Sequence, residues 1–309
     1  MSEQRFDMAQ LEDLSPRLLV DLFRDRFSSK KSLGQHLLID SEVIDHTIKL
    51  ASNSNKNPLD GKKILEIGPG AGSLTLGLLK AKSQVFAIEI DDDAISHLDR
   101  VFKNIDGEFE IIHGDALSIK WPEGITQIIS NIPYKISSPI LSKIKQYHSK
   151  NPLESIILLI QDEFASRMAM SDGEYDMGPL GLNLWLDFNI ILDKKVSPSS
   201  FIPQPKVNSR LILMEPVKRE ETKELDRNLF KIITKHCFSN RRRKIRTLLS
   251  QVPSRISRVR DWHKSRWNDK IKQVLTNNPP GFDSGWTDLR PDRLSIEQWI
   301  ILVKEISKR

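Results

Sequence analysis

Several short stretches of the sequence hold residue types that can do chemistry together. Residues 62–75, KKILEIGPGAGSLT, read as a strand running into a glycine-rich turn and then a helix beginning near Gly72. Gly68, Gly70 and Gly72 permit positive φ and let backbone N–H groups approach a ligand closely, and the helix start adds a positive dipole end. The spacing G-x-G-x-G lacks the two-residue gap of the dinucleotide fingerprint, which argues against a nicotinamide cofactor, and no Walker lysine follows. Glu89 ends a second apolar run, VFAIEIDDD, where a carboxylate can accept hydrogen bonds from a ribose diol. Asp115, in IIHGDAL, follows a third run; alone it reads equally well as a turn or helix-cap aspartate. Glycines, Glu and Asp at three successive strand ends together point to a nucleoside pocket. A fourth run, QIISNIPY, ends on Asn131, Ile132, Pro133 and Tyr134, an amide and an aromatic ring at one strand tip.

The elements that must carry these residues are legible as Ile- and Val-rich runs alternating with helical patterns between about residues 62 and 215, which predicts an α/β fold with a parallel sheet. The candidate strands are 63–67, 84–90, 108–112, 127–130, 155–160, 186–192 and 210–214. The stretch 193–208 contains Pro198, Pro203 and Pro205 and is expected to wander across the surface. Beyond Pro216 the pattern becomes charged and helical, with predicted helices over 221–238, 240–249 and 295–306, the last opened by a Ser295/Gln298 capping box. Residues 8–27 form an amphipathic pattern with a helix start at Ser15-Pro16. The expected organisation is an N-terminal extension (1–29), a sheet domain (30–215) and a smaller all-helical domain (216–309). There is no internal repeat or low-complexity tract.

The 309 residues are 39% hydrophobic and 28% charged, enough for two globular domains. The longest apolar runs, such as 156–160 and 299–303, fall far below the ~18 residues that cross a bilayer. The start, MSEQRFDMAQ, has no apolar core with a small-residue cleavage site, so a cytoplasmic protein without membrane association is expected. Cys237 is the single cysteine, and none of the seven histidines stands at a zinc-like spacing with a second ligand, so no disulfide and no metal are expected. The net charge is 47 − 41 = +6, unevenly spread. Residues 231–272 hold 14 Lys or Arg against Asp261 and Asp269, which is 14 − 2 = +12 and leaves −6 for the rest of the chain. So local an excess favours a polyanion site over a merely solvated face.

Around Asn131-Ile132-Pro133-Tyr134 the sequence resembles the class I S-adenosylmethionine-dependent methyltransferases that act on exocyclic amino groups, whose signature at this strand end is Asn or Asp, any residue, Pro and an aromatic. From Lys30 onward the whole chain resembles the ribosomal RNA adenine dimethylase family. KKSLGQHLLID (30–40), SFIPQPKVNSRLI (200–212), FSNRRRKIRTLL (238–249) and LRPDRLSIEQW (289–299) match its motifs in order. The resemblance implies a seven-stranded Rossmann-like domain with helices on both faces and a helical RNA-binding domain. It implies S-adenosylmethionine as cofactor, held by Gln35, His36, Leu38, Glu66, Gly68, Gly70, Gly72, Glu89, Ile90, Asp115, Ala116 and Asn131. Its substrate would be two adjacent adenosines in the 3′-terminal hairpin of small-subunit rRNA, dimethylated on N6 within the immature small subunit by a monomeric enzyme. His36 in GQHLL, in place of Asn, resembles the archaeal and eukaryotic branch. Two stretches depart from the family pattern: 175–187 (YDMGPLGLNLWLD), which leaves the target-pocket wall near Leu182 to Trp185 undefined, and the first 29 residues.

The chemistry follows from the substrate. The N6 lone pair of adenine is delocalised into the ring, and oxygens from the Asn131 side chain and the Ile132 carbonyl would draw it toward tetrahedral geometry and stabilise the developing charge. Tyr134 would stack on the flipped base, with Phe201 closing the other face. Arg241, Arg242, Arg243, Lys244 and Arg246, on a predicted helix, would engage phosphates, with Lys30 and Lys31 extending the patch. Two other readings stay open: the same chemistry on another amino target, such as large-subunit rRNA or DNA adenine, and a non-catalytic assembly factor that keeps the fold.

Overall fold

The computed structural model describes residues 8–27, 36–54, 58–102, 108–171 and 177–308. The chain divides into two compact units, Met1–Ala165 with Asn189–Pro216, and Ser166–Phe188 with Val217–Arg309. The division at Pro216 falls where the sequence pattern changes. The segment 166–188, assigned from sequence to the sheet domain, belongs instead to the helical unit.

In the first unit, helix α1 (Pro16–Arg26) starts on Ser15, whose Oγ accepts from the Leu18 N–H, with Pro16 at the first helical position. Its apolar face buries Leu19, Val20 and Phe23. A two-residue strand, β1 (Leu37–Leu38), leads into α2 (Ser41–Ser54). There follow β2 (Lys63–Ile67), α3 (Ser73–Lys80), β3 (Gln84–Glu89), α4 (Asp92–Phe102), β4 (Phe109–His113), β5 (Gln127–Asn131), α5 (Ser137–His148), β6 (Ser155–Gln161) and α6 (Asp162–Ala169). Strands β7 (Phe188–Val196), β8 (Phe201–Ile202) and β9 (Ser209–Pro216) complete the set. Seven strands form one sheet in the order β4-β3-β2-β5-β6-β9-β7, with β2 to β6 parallel and β9 antiparallel to β6. The run SIILLIQ of β6 is buried on both faces, as a central strand must be.

The order places a switch point between β2 and β5, since the chain builds outward from β2 through β3 and β4 and then returns to its other side. Pairing of β2 with β5 is recorded only at Ile64↔Gln127 and Leu65↔Ile128. Beyond it the side chain of Ser130 takes over: its Oγ accepts from the Ile67 N–H at 3.1 Å and donates to the Ile67 carbonyl at 2.6 Å. Both backbone groups of Ile67 are thus satisfied where ladder bonds end, and a crevice opens at the carboxyl ends of the two strands.

The second unit is helical: α7 (Pro179–Trp185), α8 (Arg227–Phe238), α9 (Ile245–Leu249), α10 (Lys264–Asn277) and α11 (Ile296–Ser307). Asp226 caps α8 by accepting from the Asn228 and Leu229 N–H groups, and the Ser295/Gln298 capping box opens α11. The core gathers Trp267, Trp286 and Trp299 with Phe230, Ile233 and Leu248. Each indole N–H is satisfied, on the Leu249 carbonyl, Asn278 Oδ1 and the Pro291 carbonyl respectively. Among the described residues no helix is long and apolar enough to cross a membrane.

Candidate active site and nucleic-acid interface

A cavity of about 310 Å³ lies at the switch point of the first unit. Ten of the residues assigned to a cofactor line it: His36, Leu38, Glu66, Gly68, Gly70, Glu89, Ile90, Asp115, Ala116 and Asn131. Ile132, Pro133 and Tyr134 line it too. Its backbone floor is the turn after β2, where Gly68 and Gly70 adopt φ of 68° and 57°. Leu37 Cδ2 would stand 2.8 Å from a Cβ on Gly70, so this position tolerates no side chain without displacement of Leu37.

The acids at the strand ends differ in what they have left to offer. Glu89 is buried, and its Oε1 accepts from the Ile90 and Asp91 N–H groups at 2.7 and 2.9 Å. Oε2 accepts from the Gly70 N–H at 3.1 Å. A carboxylate has about four acceptor sites, so Oε2 retains one for a hydroxyl. Burial raises the Glu89 pKa, and the three backbone donors oppose that rise. Glu66 is more deeply placed; burial pushes its carboxyl up to about 8 against a counteracting bond from Thr75 Oγ1, and the neighbouring Glu89 adds to the rise. It is therefore protonated at neutral pH. Asp115 both lines the cavity and caps its own turn, accepting from the Leu117 N–H and Ser118 Oγ, so the two readings of this residue coexist. The open acceptor on Glu89 Oε2 and the Asp115 carboxyl, in an apolar-walled cavity, fit a nucleoside.

At the tip of β5, Asn131 Nδ2 donates to the His36 carbonyl at 3.1 Å, which fixes the amide and leaves Oδ1 as an acceptor. The Ile132 N–H donates to the Leu159 carbonyl, and the Ile132 carbonyl has no hydrogen-bond partner among the described residues. The Tyr134 hydroxyl lies 2.6 Å from Ser209 Oγ, and its ring centroid is 5.5 Å from that of His36. Burial raises the Tyr134 pKa, so the phenol stays neutral and is not a base at neutral pH. His36 is held by a 2.8 Å contact between Nδ1 and the Pro203 carbonyl.

Other assignments are corrected. Phe201 is not among the residues that line the cavity: it pairs with Leu38 in the β1–β8 ribbon, and its ring is 1% exposed within the main core. The proline-bearing stretch is also less loose than expected, since residues 193–196 extend β7 and residues 201–202 form β8. Gly72 does not line the cavity; it precedes α3 with φ of 81°, and a Cβ there would meet Phe102 Cε2 at 2.6 Å, so it serves helix packing. Leu182 and Leu184 of α7 are buried in the helical unit and do not wall the cavity. Gln35, Lys30 and Lys31 lie outside the described residues. Sequence reasoning missed Ser130, although a serine inside an apolar strand is itself a signal, and missed Lys135, which lines the cavity beside Tyr134.

In the helical unit, Arg241, Arg242 and Arg243 occupy a turn, where a continuous helix over 240–249 was expected. The Arg243 N–H closes the turn on the Asn240 carbonyl, and Lys244 is extended before α9. All five cations of the cluster are exposed. Arg241 pairs with Asp292 at 3.1 Å, while Lys244 and Arg246 share Asp288 at 3.4 and 3.0 Å. Arg242 and Arg243 have no ion pair among the described residues. The exposed pairs of Lys244 and Arg246 with Asp288 are worth about 0–1 kcal/mol, little enough for phosphates to displace.

Comparison with known proteins agrees with the geometry. The family model described as ribosomal RNA adenine dimethylase matches residues 26–274. The chain is 34% identical over 296 residues to the ribosomal RNA small subunit methyltransferase A of Prochlorococcus marinus, covering 91% of this chain and 97% of that one. It is 35% identical over 222 residues to the "Probable ribosomal RNA small subunit methyltransferase A" of Thermococcus gammatolerans, with 71% and 75% covered. Among solved structures, a dimethyladenosine transferase from Plasmodium falciparum superposes with a TM-score of 0.66 at 26% identity, covering 86% of this chain and 96% of that one. The 23S rRNA methyltransferase ErmE shares the fold, with a TM-score of 0.58 at 22% identity over 88% and 99%. A glycine turn, a ribose-competent carboxylate and an Asn-Ile-Pro-Tyr tip around one cavity, together with these matches, show that the chain belongs to the ribosomal RNA adenine dimethylase family.

Proposed function

We propose that this S-adenosylmethionine-dependent rRNA adenine methyltransferase dimethylates N6 of two adjacent adenosines in the 3′-terminal hairpin of small-subunit rRNA, with Asn131 and Ile132 as the groups that act on the amine. The observation that carries this reading is the pair of unused acceptors at one strand tip, Asn131 Oδ1 and the Ile132 carbonyl, on residues that line the same cavity as the glycine turn and Glu89. When bound, S-adenosylmethionine supplies a methyl group already activated on a sulfonium.

The protein's part is positioning and electrostatics. In the first transfer two oxygens accepting the N6 hydrogens draw the lone pair out of conjugation and stabilise the positive charge that grows on nitrogen, an effect of the oxyanion-hole type worth roughly 3 to 4 kcal/mol; in the second, the one remaining hydrogen keeps one of these partners. The methylated amine is acidic enough to lose its proton to water, so no side-chain base is needed. Tyr134, with its hydroxyl anchored on Ser209, offers a ring for the adenine once it leaves its stack, a contact worth about 1–3 kcal/mol. Glu89 Oε2 and Asp115 suit the ribose and base of the cofactor, and the Arg242–Arg243 turn suits rRNA phosphates.

The experiment is methyl transfer from radiolabelled S-adenosylmethionine to immature small subunits, with the label mapped. Label on two neighbouring 3′-end adenosines is expected. Label confined to large-subunit rRNA or DNA would assign another target, and cofactor binding without any label would assign an assembly factor.

A further inference from the structure

Helix α1 precedes the part of the chain shared with the family: the family match begins at residue 26, the last residue of the helix. Its two sides reach different places. Leu19 joins the main core, where Leu11 and Leu14 of the same extension also lie. Val20 and Phe23, 0% and 2% exposed, form a separate small cluster with Leu37, Ala71 and Ala94. Leu37 and Ala71 also line the cofactor cavity, so Val20 and Phe23 share one apolar cluster with two residues of its wall.

The turn in that wall is rich in glycine. Gly68, Gly70 and Gly72 all take positive φ within five residues, and glycine loses more backbone freedom on ordering than any other residue. Packing from outside restrains it: Leu37 closes on Gly70, Phe102 and Leu98 close on Gly72, and the α1 cluster closes on Ala71. The Phe23 ring also meets His97 of α4 edge-on, with centroids 5.4 Å apart. Lys80 Nζ donates to the Leu14 carbonyl at 3.1 Å and ties the extension to the far end of α3.

We propose that Val20 and Phe23 are positioning residues that hold the glycine turn in its ligand-binding form, so that the N-terminal extension contributes to affinity for S-adenosylmethionine. The inference rests on the reading of this cavity as the cofactor site. A turn already restrained binds without the cost of ordering it at the moment of binding.

The test uses the full chain with Phe23→Ala, Val20→Ala, Phe23→Leu and Leu19→Ala. S-adenosylhomocysteine binding is measured by calorimetry, the steady-state constants for S-adenosylmethionine and for RNA are measured, and thermal unfolding is followed. Phe23→Ala and Val20→Ala raise the cofactor Kd and KM about tenfold, which is ~1.4 kcal/mol, while the KM for RNA stays within about twofold. Phe23→Leu restores most of the affinity. Leu19→Ala removes an apolar side chain from the same helix on its other side, and lowers the unfolding temperature without raising the cofactor Kd. Should Phe23→Ala not fold, Val20→Ala decides. Equal rises in Kd for Leu19→Ala and Val20→Ala, or no rise in either, overturns the proposal alone. A wild-type chain that binds no S-adenosylhomocysteine overturns the cofactor reading as well.

Discussion

Asn131 Nδ2 donates to the carbonyl of His36, two residues 95 positions apart in the chain, and that bond decides which end of the amide faces substrate. With one N–H donated to His36, the amide is oriented so that Oδ1 is the acceptor the side chain can offer. Asn131→Ala should therefore keep cofactor affinity within about twofold and slow single-turnover methylation by roughly 10²–10³, as loss of one oxyanion-type partner does. Equal loss of binding and turnover would make Asn131 structural.

Tyr134 separates into a ring and an anchor. Tyr134→Phe loses only the Ser209 contact, about 1 kcal/mol, and should cost less than tenfold in kcat/KM for RNA. Tyr134→Ala loses the stacking surface as well, about 2–4 kcal/mol in all, and should cost roughly 30- to 1000-fold, with cofactor Kd unmoved. Similar losses for both would place the importance in the hydroxyl.

Arg242 and Arg243 are the members of the basic turn without ion pairs among the described residues, so they are the readiest for phosphate. Their double replacement by Gln should weaken rRNA binding and flatten log K against log salt by roughly 0.7 to 0.9 per lost contact. An unchanged slope would remove this turn from the RNA surface.

Glu66 predicts a pH dependence of stability. Its folded pKa, raised by burial to about 8, exceeds the ordinary 4.5, so the folded state holds a proton that the unfolded chain releases. Its stabilising contribution is full below about pH 4.5 and is lost progressively as pH rises to about 8. Thermal unfolding of the wild type should therefore fall across that window more steeply than that of Glu66→Gln, which keeps the hydrogen-bonding shape without titrating. Parallel curves would contradict the raised pKa.

Most of the sheet and three of its strand-end signals were legible because each strand is a bounded apolar run and each functional residue sits at its carboxyl end. Helix α10 is not legible in the sequence, although Trp267, Ile271 and Val274 lie on one helical face, because charged and polar residues, Lys270 and Lys272 among them, dominate the stretch around so narrow an apolar stripe. The helix predicted through Arg241 to Arg243 failed because the periodicity of its later half, Ile245, Leu248 and Leu249, was extended backward across Asn240, where the chain turns. Phe201 was misplaced because its direction depends on pairing with Leu38, a partner more than 160 positions away that no local pattern announces. The same holds for α7, which the sequence pattern assigns to the sheet domain but which joins the helical unit.

The most direct measurement is a structure of the protein with S-adenosylhomocysteine and adenosine bound together. The account predicts adenine N6 at hydrogen-bond distance, about 2.9 Å, from both Asn131 Oδ1 and the Ile132 carbonyl, with the base against Tyr134. An adenine held elsewhere, with those two oxygens turned from the donor sulfur, would contradict it.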